Sequence, residues 1–392
     1  MGNEGNGPLA GYRIVEFCST LAGPLATMLL GDQGADVIKV ETPGGDQSRH
    51  IGHTRKGVAG ISSLFLNVNR NKRSVVLDLK SEDGIAAARD LVASADVVVQ
   101  NFRPGVMERL GLGPETLTNE NPDLIYVSIS GLGDTGAGAR RRVYDIVVQG
   151  LAGYAAMQAD PQTGTPQNIR NAITDKITSM VVWQAATAAL LHRERGGGGQ
   201  HVKVDMLTAA LNFLWPEGLP SITLTGDDVV PGGSLSGIRY IFPTADGHIL
   251  VGFVADAEFA ACCRALGLQT LETDSRFNTI AKRFRDAQEL NAILAEQLSE
   301  RPSSHWLERL EAEDCVYAPV NTAEDIPDDP QVVETGSLET HHHAIYGGYR
   351  QPRHPVDFGA TPAGLSRHAP LLGEHTEEVL AELKATGRGV RP

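Results

Sequence analysis

Tyr12-Arg13-Ile14-Val15-Glu16-Phe17, the small-residue stretch from Ala22 to Leu30, and Ala35-Asp36-Val37-Ile38-Lys39-Val40 decide the fold class. Two short β-branched runs flank a segment suited to a closely packed helix, so the stretch reads strand, helix, strand. The pattern recurs downstream. Ser74-Val75-Val76-Leu77-Asp78-Leu79 leads into a helix from Ser81 to Ala93, and Asp96-Val97-Val98-Val99-Gln100 and Leu124-Ile125-Tyr126-Val127-Ser128-Ile129 supply two more strands. Nearly continuous apolar strands that alternate with helices belong to a buried parallel sheet covered on both faces. The N-terminal half is therefore predicted to be a doubly wound α/β domain.

Further along, a long apolar helix is predicted from about Asp175 to Arg195, closed by Gly196-Gly197-Gly198-Gly199. The tetrad lacks the Gly-Lys-Ser/Thr ending of a phosphate loop and follows a helix rather than opening one, so it reads as a helix stop. Strand His201-Val202-Lys203-Val204 and a helix near Met206 to Leu214 follow. From Gly226 to Gly237 the composition turns to Gly, Asp, Pro and Ser, which marks a linker or loop. Beyond it, Ile238 to Phe242 and His248 to Gly252 form a hairpin pattern around Asp246-Gly247, with helices expected near 257–266, 286–298 and 303–311. The expected division is a large domain over 1–225, completed by about 330–392, and a small α+β domain over 226–329. The tail ends in a helix expected from Glu374 to Ala385.

With 34 basic and 48 acidic residues, the net charge of −14 argues against a general nucleic-acid binder, so any polyanionic ligand must meet local basic groups. The polar start from Met1 to Pro8 lacks the pattern of a signal peptide, and no apolar run reaches membrane-spanning length, so a cytoplasmic protein without a membrane segment is expected. Cys18, Cys262, Cys263 and Cys315 show no paired metal-ligand spacing. His341-His342-His343, in a Gly-rich region, reads as a surface loop rather than a metal site, and no metal is expected.

Asp175 stands where a loop passes into the long helix. A carboxylate there is either an N-cap or a reactive group held ionised by the helix dipole. Gly131-Leu132-Gly133-Asp134-Thr135-Gly136 matches a dinucleotide-binding spacing, but it follows a late strand and runs on into Gly138 and Arg140-Arg141-Arg142 instead of opening a helix. It reads as a turn, with cations beside it suited to phosphates. Asn101-Phe102-Arg103-Pro104-Gly105 lies past a strand's carboxyl end, where α/β sheets bind ligands, and could hold an adenine or form a plain turn.

Taken together, Leu9 to Phe17, Ala22-Gly23-Pro24, Gly34 to Glu41, Asn69 to Ser74, Asn101 to Gly105, Val143-Tyr144-Asp145, Thr174-Asp175-Lys176 and Gly199 to Val204 resemble the family III CoA-transferases. That family includes formyl-CoA:oxalate CoA-transferase, carnitine CoA-transferase and α-methylacyl-CoA racemase. The resemblance implies a Rossmann-like large domain, a smaller domain and a homodimer of two interlocked subunits. It also implies that coenzyme A enters as acyl-CoA substrate, with neither metal nor nicotinamide, and that a carboxylic acid is the second substrate.

On the same resemblance Asp175 is the nucleophile and Tyr144 lies near the reacting carboxylate. Leu77, Lys80, Asn101, Phe102, Arg109 and Arg142 would hold CoA, with Thr20 and Ala22 near the pantetheine end. Asn101 and Phe102 would take the adenine region, and Lys80, Arg109 and Arg142 the phosphates. The racemase branch carries a histidine where this chain has Tyr144, which makes racemisation the second reading. Gly232-Gly233-Ser234 stands where the formyl-CoA branch has a longer glycine-rich loop, so oxalate is not the expected acceptor. An NAD-linked oxidoreductase would rest on Gly131 to Gly136 alone, and a non-catalytic CoA-binding or scaffold protein is a third class.

Overall fold

The computed structural model describes residues 7–160, 163–230 and 240–385. Six strands, β1 (Arg13–Phe17), β2 (Asp36–Glu41), β3 (Lys72–Val76), β4 (Val97–Gln100), β5 (Ile125–Ser130) and β6 (Gln200–Asp205), form one sheet in the order β3-β2-β1-β4-β5-β6. Every neighbouring pair in it is parallel. This is the doubly wound α/β arrangement expected from the alternating pattern. The strand order reverses between β1 and β4, and such a switch point opens a crevice at the strands' carboxyl ends.

Successive side chains of a strand face opposite ways, so each strand feeds two cores. Val15, Phe17, Ile38, Val40, Val98 and Tyr126 pack on one face, and Ile14, Val37, Val97, Val99, Ile125 and Val127 on the other. Three charges are also wholly buried: Glu16 on β1 receives Lys39 of β2 at 2.8 Å and Lys72 of β3 at 2.9 Å. Burial would raise the Glu16 carboxyl, but the two ammonium groups hold it below its usual range. Burial also brings the Lys72 ammonium down to about 8.

Strand β3 begins and ends earlier than the apolar run Ser74 to Leu79 predicts. The reason is ionic: Lys72 reaches Glu16, and Arg73 reaches Asp36 on β2 at 2.6 Å, so two charged residues are drawn into the ladder. The long helix is observed at Ile173–His192, and the chain leaves it through Gly196 in the left-handed conformation, φ 84°.

The chain divides into two compact units, one of Met1–Phe213 with Gly336–Pro392 and one of Leu214–Thr335. The second unit holds an antiparallel sheet in the order β7-β8-β9, from β7 (Ile241–Pro243), β8 (His248–Gly252) and β9 (Val316–Pro319). Helices Asp256–Leu266, Ala287–Ser299 and Ser303–Ala312 close its core around Phe242, Val251, Phe259, Leu294 and Trp306. Strand β9 was not foreseen, because its pairing of Tyr317 with Val251 joins segments far apart in the chain. Met1 to Asn6, Gly232-Gly233-Ser234, and Ile238 and Arg239 of the expected hairpin lie outside the described residues.

In the first unit, β10 (Leu338–His343) and β11 (Gly347–Pro352) form a hairpin. The expectation of a surface loop at His341-His342-His343 is thereby corrected. These residues are strand, and alternation turns His341 toward Tyr349 and stacks His343 on Tyr346, with ring centroids 5.4 and 3.8 Å apart. The last helix, Thr376–Ala385, buries Val379 and Leu383 beside β3. All four cysteines are free. No helix among the described residues is long and apolar enough to cross a membrane.

Candidate active site

The turns that follow β1 and β4 meet at the switch point. The Asn101 side chain accepts from the Ser19 backbone N–H at 3.1 Å and donates to the Ser19 carbonyl at 3.0 Å. The Asp46 carboxylate accepts from the Thr20 N–H at 3.1 Å, and buried Lys39 donates to the Cys18 carbonyl at 3.0 Å and to Asp46 at 2.8 Å. Burial opposes ionisation of Asp46, yet Lys39 holds its carboxyl down at about 2. On the β4 side, the Gln100 side chain accepts from the Phe102 N–H at 2.9 Å.

Asp175 enters from the long helix. The N-cap residue is Ala172, and Asp175 lies in the first turn, so its carboxylate does not cap the helix. The cap comes from another segment: Asp145 Oδ1 accepts from the backbone N–H of Thr174 at 2.7 Å and of Asp175 at 3.2 Å. Its other oxygen accepts from Gln149 Nε2 at 2.6 Å. The helix dipole acts on both carboxyls, since Asp175 lies in the first turn, but the free N–H groups there are taken by Asp145. Burial first, and then the charge of Asp145, push the Asp175 carboxyl up to about 7.

A cavity of about 240 Å³ lies over these groups. Thr20, Ala22, Asn101, Phe102, Arg142 and Tyr144 line it together with Asp175. Tyr144 is 65 % exposed. No hydrogen bond joins Tyr144 to Asp175 among the described residues. The remaining residues singled out from the sequence lie outside the lining. Leu77 is buried in the core, Lys80 is exposed in the turn after β3, and Arg109 is exposed, folded back over Gly105.

Gln47, Arg103 and Arg141 line the cavity without having been assigned a role there. Arg141 belongs to the basic run that sequence had marked and Asp145 to the block Val143-Tyr144-Asp145, though with no role assigned, whereas nothing local distinguishes Gln47. No carboxylate lies within ion-pair distance of Arg103, Arg141 or Arg142 among the described residues. Other arginines of this unit are tied to carboxylates, as Arg49 is to Glu41 and Arg70 to Asp32. Gly131 has a packing role, since a Cβ there would lie 2.5 Å from Cβ of Val143, so the glycine lets the Val143-Tyr144 segment close against β5. Gly133 and Gly136 take φ of 80° and 77°, as turn residues do.

Uncompensated cations, a carboxyl held near neutrality and a switch-point crevice suit a polyanionic substrate with an acyl centre. Comparison with known proteins agrees. The family model described as CoA-transferase family III matches residues 9–376. The succinate–glutarate CoA-transferase of Agrobacterium fabrum is 34% identical, covering 98% of this chain and 98% of its own length. The human succinyl-CoA:glutarate CoA-transferase is 34% identical over 96% of this chain and 86% of its own. Among solved structures, a CaiB/BaiF family protein from Brucella suis superposes with a TM-score of 0.83 at 33% identity, covering 96% of this chain and 100% of that one. A match that spans both compact units, with sequence and fold in accord, makes this chain an enzyme of CoA-transferase family III.

Proposed function

We propose that the enzyme moves CoA from a dicarboxylic acyl-CoA to a carboxylic acid, itself a dicarboxylate, with Asp175 as nucleophile. The observation that carries this is the placement of the Asp175 carboxyl on a cavity whose wall holds Arg103, Arg141 and Arg142 without carboxylate partners. Guanidinium groups in that state are available to the phosphates of CoA and to a second carboxylate. The dicarboxylate class follows the relatives named for succinate and glutarate.

In the first step an Asp175 oxygen attacks the thioester carbonyl, the C–S bond breaks and CoA leaves as thiolate. The mixed anhydride is then attacked at the aspartyl carbonyl by that thiolate, which releases the donor acid and leaves an aspartyl-CoA thioester. The acceptor carboxylate attacks this thioester, again expelling thiolate. Attack of the thiolate on the acceptor's acyl carbon yields the new acyl-CoA and frees Asp175. Covalent catalysis thus divides one hard transfer into easier ones. The exposed Tyr144 hydroxyl, on the same cavity, is suited to donate to the acyl oxygen or the incoming carboxylate.

Racemisation needs an acid and a base on opposite faces of the α-carbon, and no histidine among the described residues lines this cavity. The same reading takes the protein as a homodimer of interlocked subunits. Ile146, Leu151, Met180 and Phe213, exposed by 64%, 51%, 43% and 62%, offer apolar surface for a second copy.

Trapping tests the mechanism. Incubation with succinyl-CoA followed by hydroxylamine should convert Asp175 to a hydroxamate detectable by mass spectrometry, and Asp175→Ala should lose both the adduct and CoA transfer. An unmodified Asp175, or undiminished transfer in Asp175→Ala, sinks the proposal.

A further inference from the structure

Three successive residues of the turn after β1 are each held by a side chain from outside it. Lys39 binds the Cys18 carbonyl, Asn101 binds both the N–H and the carbonyl of Ser19, and Asp46 binds the N–H of Thr20. The last contact matters most, because Thr20 sits at φ 72°. A β-branched residue keeps a left-handed backbone only where its surroundings over-determine it. Asp46 is in turn fixed by Lys39 at 2.8 Å and by the Ser48 N–H at 2.8 Å, and Lys39 by Glu16 at 2.8 Å.

The turn borders the reacting group. Ser179 Oγ lies 2.7 Å from the Ala22 carbonyl and 2.8 Å from the Asp175 carbonyl, so the end of the turn and the first turn of the Asp175 helix share one hydroxyl. Asn101, by contrast, uses one of its two amide N–H donors and its amide oxygen on Ser19. That engagement differs from the adenine contact the family resemblance implies for it.

We propose that Asn101 and Asp46 are positioning residues, which lock the Ser19-Thr20 turn against the reacting end of the cavity, so that Asn101 acts on the chemistry through this turn. The inference rests on the transferase reading for its kinetic consequence and on the hydrogen bonds alone for its structural one. A wall held in one geometry keeps the thioester carbonyl in line with Asp175, and small misplacements of reacting groups are expensive in rate.

Substrate truncation separates the two roles. Transfer by wild type and by Asn101→Ala is measured with an acyl-CoA and with the matching acyl-pantetheine, which has no nucleotide. Amide hydrogen exchange at Ser19 and Thr20 is followed in parallel. Positioning gives a kcat lower by about tenfold to a hundredfold, by the same factor on both substrates, with faster exchange at both amides. A loss confined to KM for the acyl-CoA and absent with acyl-pantetheine overturns it, as does unchanged exchange.

Asp46→Ala should behave likewise, and adding Thr20→Gly should restore part of kcat, since glycine takes a positive φ unaided. No recovery in that double variant counts against the role of Asp46. If Asp46→Ala fails to fold, Asn101→Ala decides alone. Absence of transfer by the wild type would overturn the transferase reading instead, while the exchange measurement would still test the turn.

Discussion

Asp145 and Asp175 meet at the N-terminus of one helix, and Asp145 takes its free N–H groups. Asp145 Oδ1 takes the N–H groups of Thr174 and Asp175, at 2.7 and 3.2 Å, so the second carboxyl, in the first turn, stands beside a neighbouring negative charge without those hydrogen bonds. Burial first, and then that charge, push the Asp175 carboxyl up to about 7, which makes an ordinary aspartate a group that titrates near neutrality.

The pH dependence follows. A nucleophilic carboxylate must be ionised, so kcat/KM of the free enzyme should rise as pH increases through about 7 and flatten above it. Asp145→Asn removes the neighbouring charge and should move this inflection to lower pH. A pH–rate profile of both proteins measures it, and an inflection that stays in place would show that Asp145 does not set it.

Stability should respond in the opposite sense to activity. The Asp175 carboxyl is raised from 3.8 to about 7 in the folded state, so folding favours its protonated form. This penalty is absent below the unfolded value, grows as pH rises between the two, and is complete above the folded one. Asp175→Asn should therefore stabilise the protein at pH 8 by about 1–3 kcal/mol, after allowance for solvent reaching a half-buried group, and much less at pH 5. Urea melts at both pH values test this.

Paired and unpaired arginines should fail differently. Arg141→Ala and Arg142→Ala leave no carboxylate without its partner, so melting should be unchanged within about 0.5 kcal/mol while KM for acyl-CoA rises about threefold to tenfold, more so at low salt. Arg73 pairs with Asp36 at 2.6 Å and Glu382 at 2.7 Å, away from the cavity. Arg73→Ala should cost about 1–3 kcal/mol of stability with KM unchanged.

The buried charge cluster under the turn should be intolerant of partial removal. Glu16→Gln leaves Lys39 and Lys72 in the core without the carboxylate that both contact, at 2.8 and 2.9 Å. A loss of about 3–5 kcal/mol is expected in denaturant unfolding at pH 7. A near-neutral effect would mean that the two ammonium groups reach solvent.

Legibility in the sequence tracked how local each cause was. Strands β1, β2, β4 and β5 announced themselves because their apolar runs are set by burial on both faces. The start of β3 was hidden because Lys72 and Arg73 enter the ladder through ion pairs with Glu16 and Asp36, which only folding brings near. His341 to His343 resembled a loop in composition, yet pairing of His341 with Tyr349 makes them strand. In the site, Asp175 and the arginine run stood out by type and place. Gln47 carried no local mark, and Asp145 was marked only as part of a motif, since its capping role depends on the helix it faces.

The sequence by itself determined the doubly wound sheet, the order of the motifs and the family, because periodicity and motif order are properties of the chain. Tertiary structure decided which carboxylate caps the long helix, which amides pin the turn after β1 and which arginines stay unpaired. Those outcomes depend on distances between segments far apart in sequence. A hydrogen bond or ion pair exists only once folding has brought its two ends within reach.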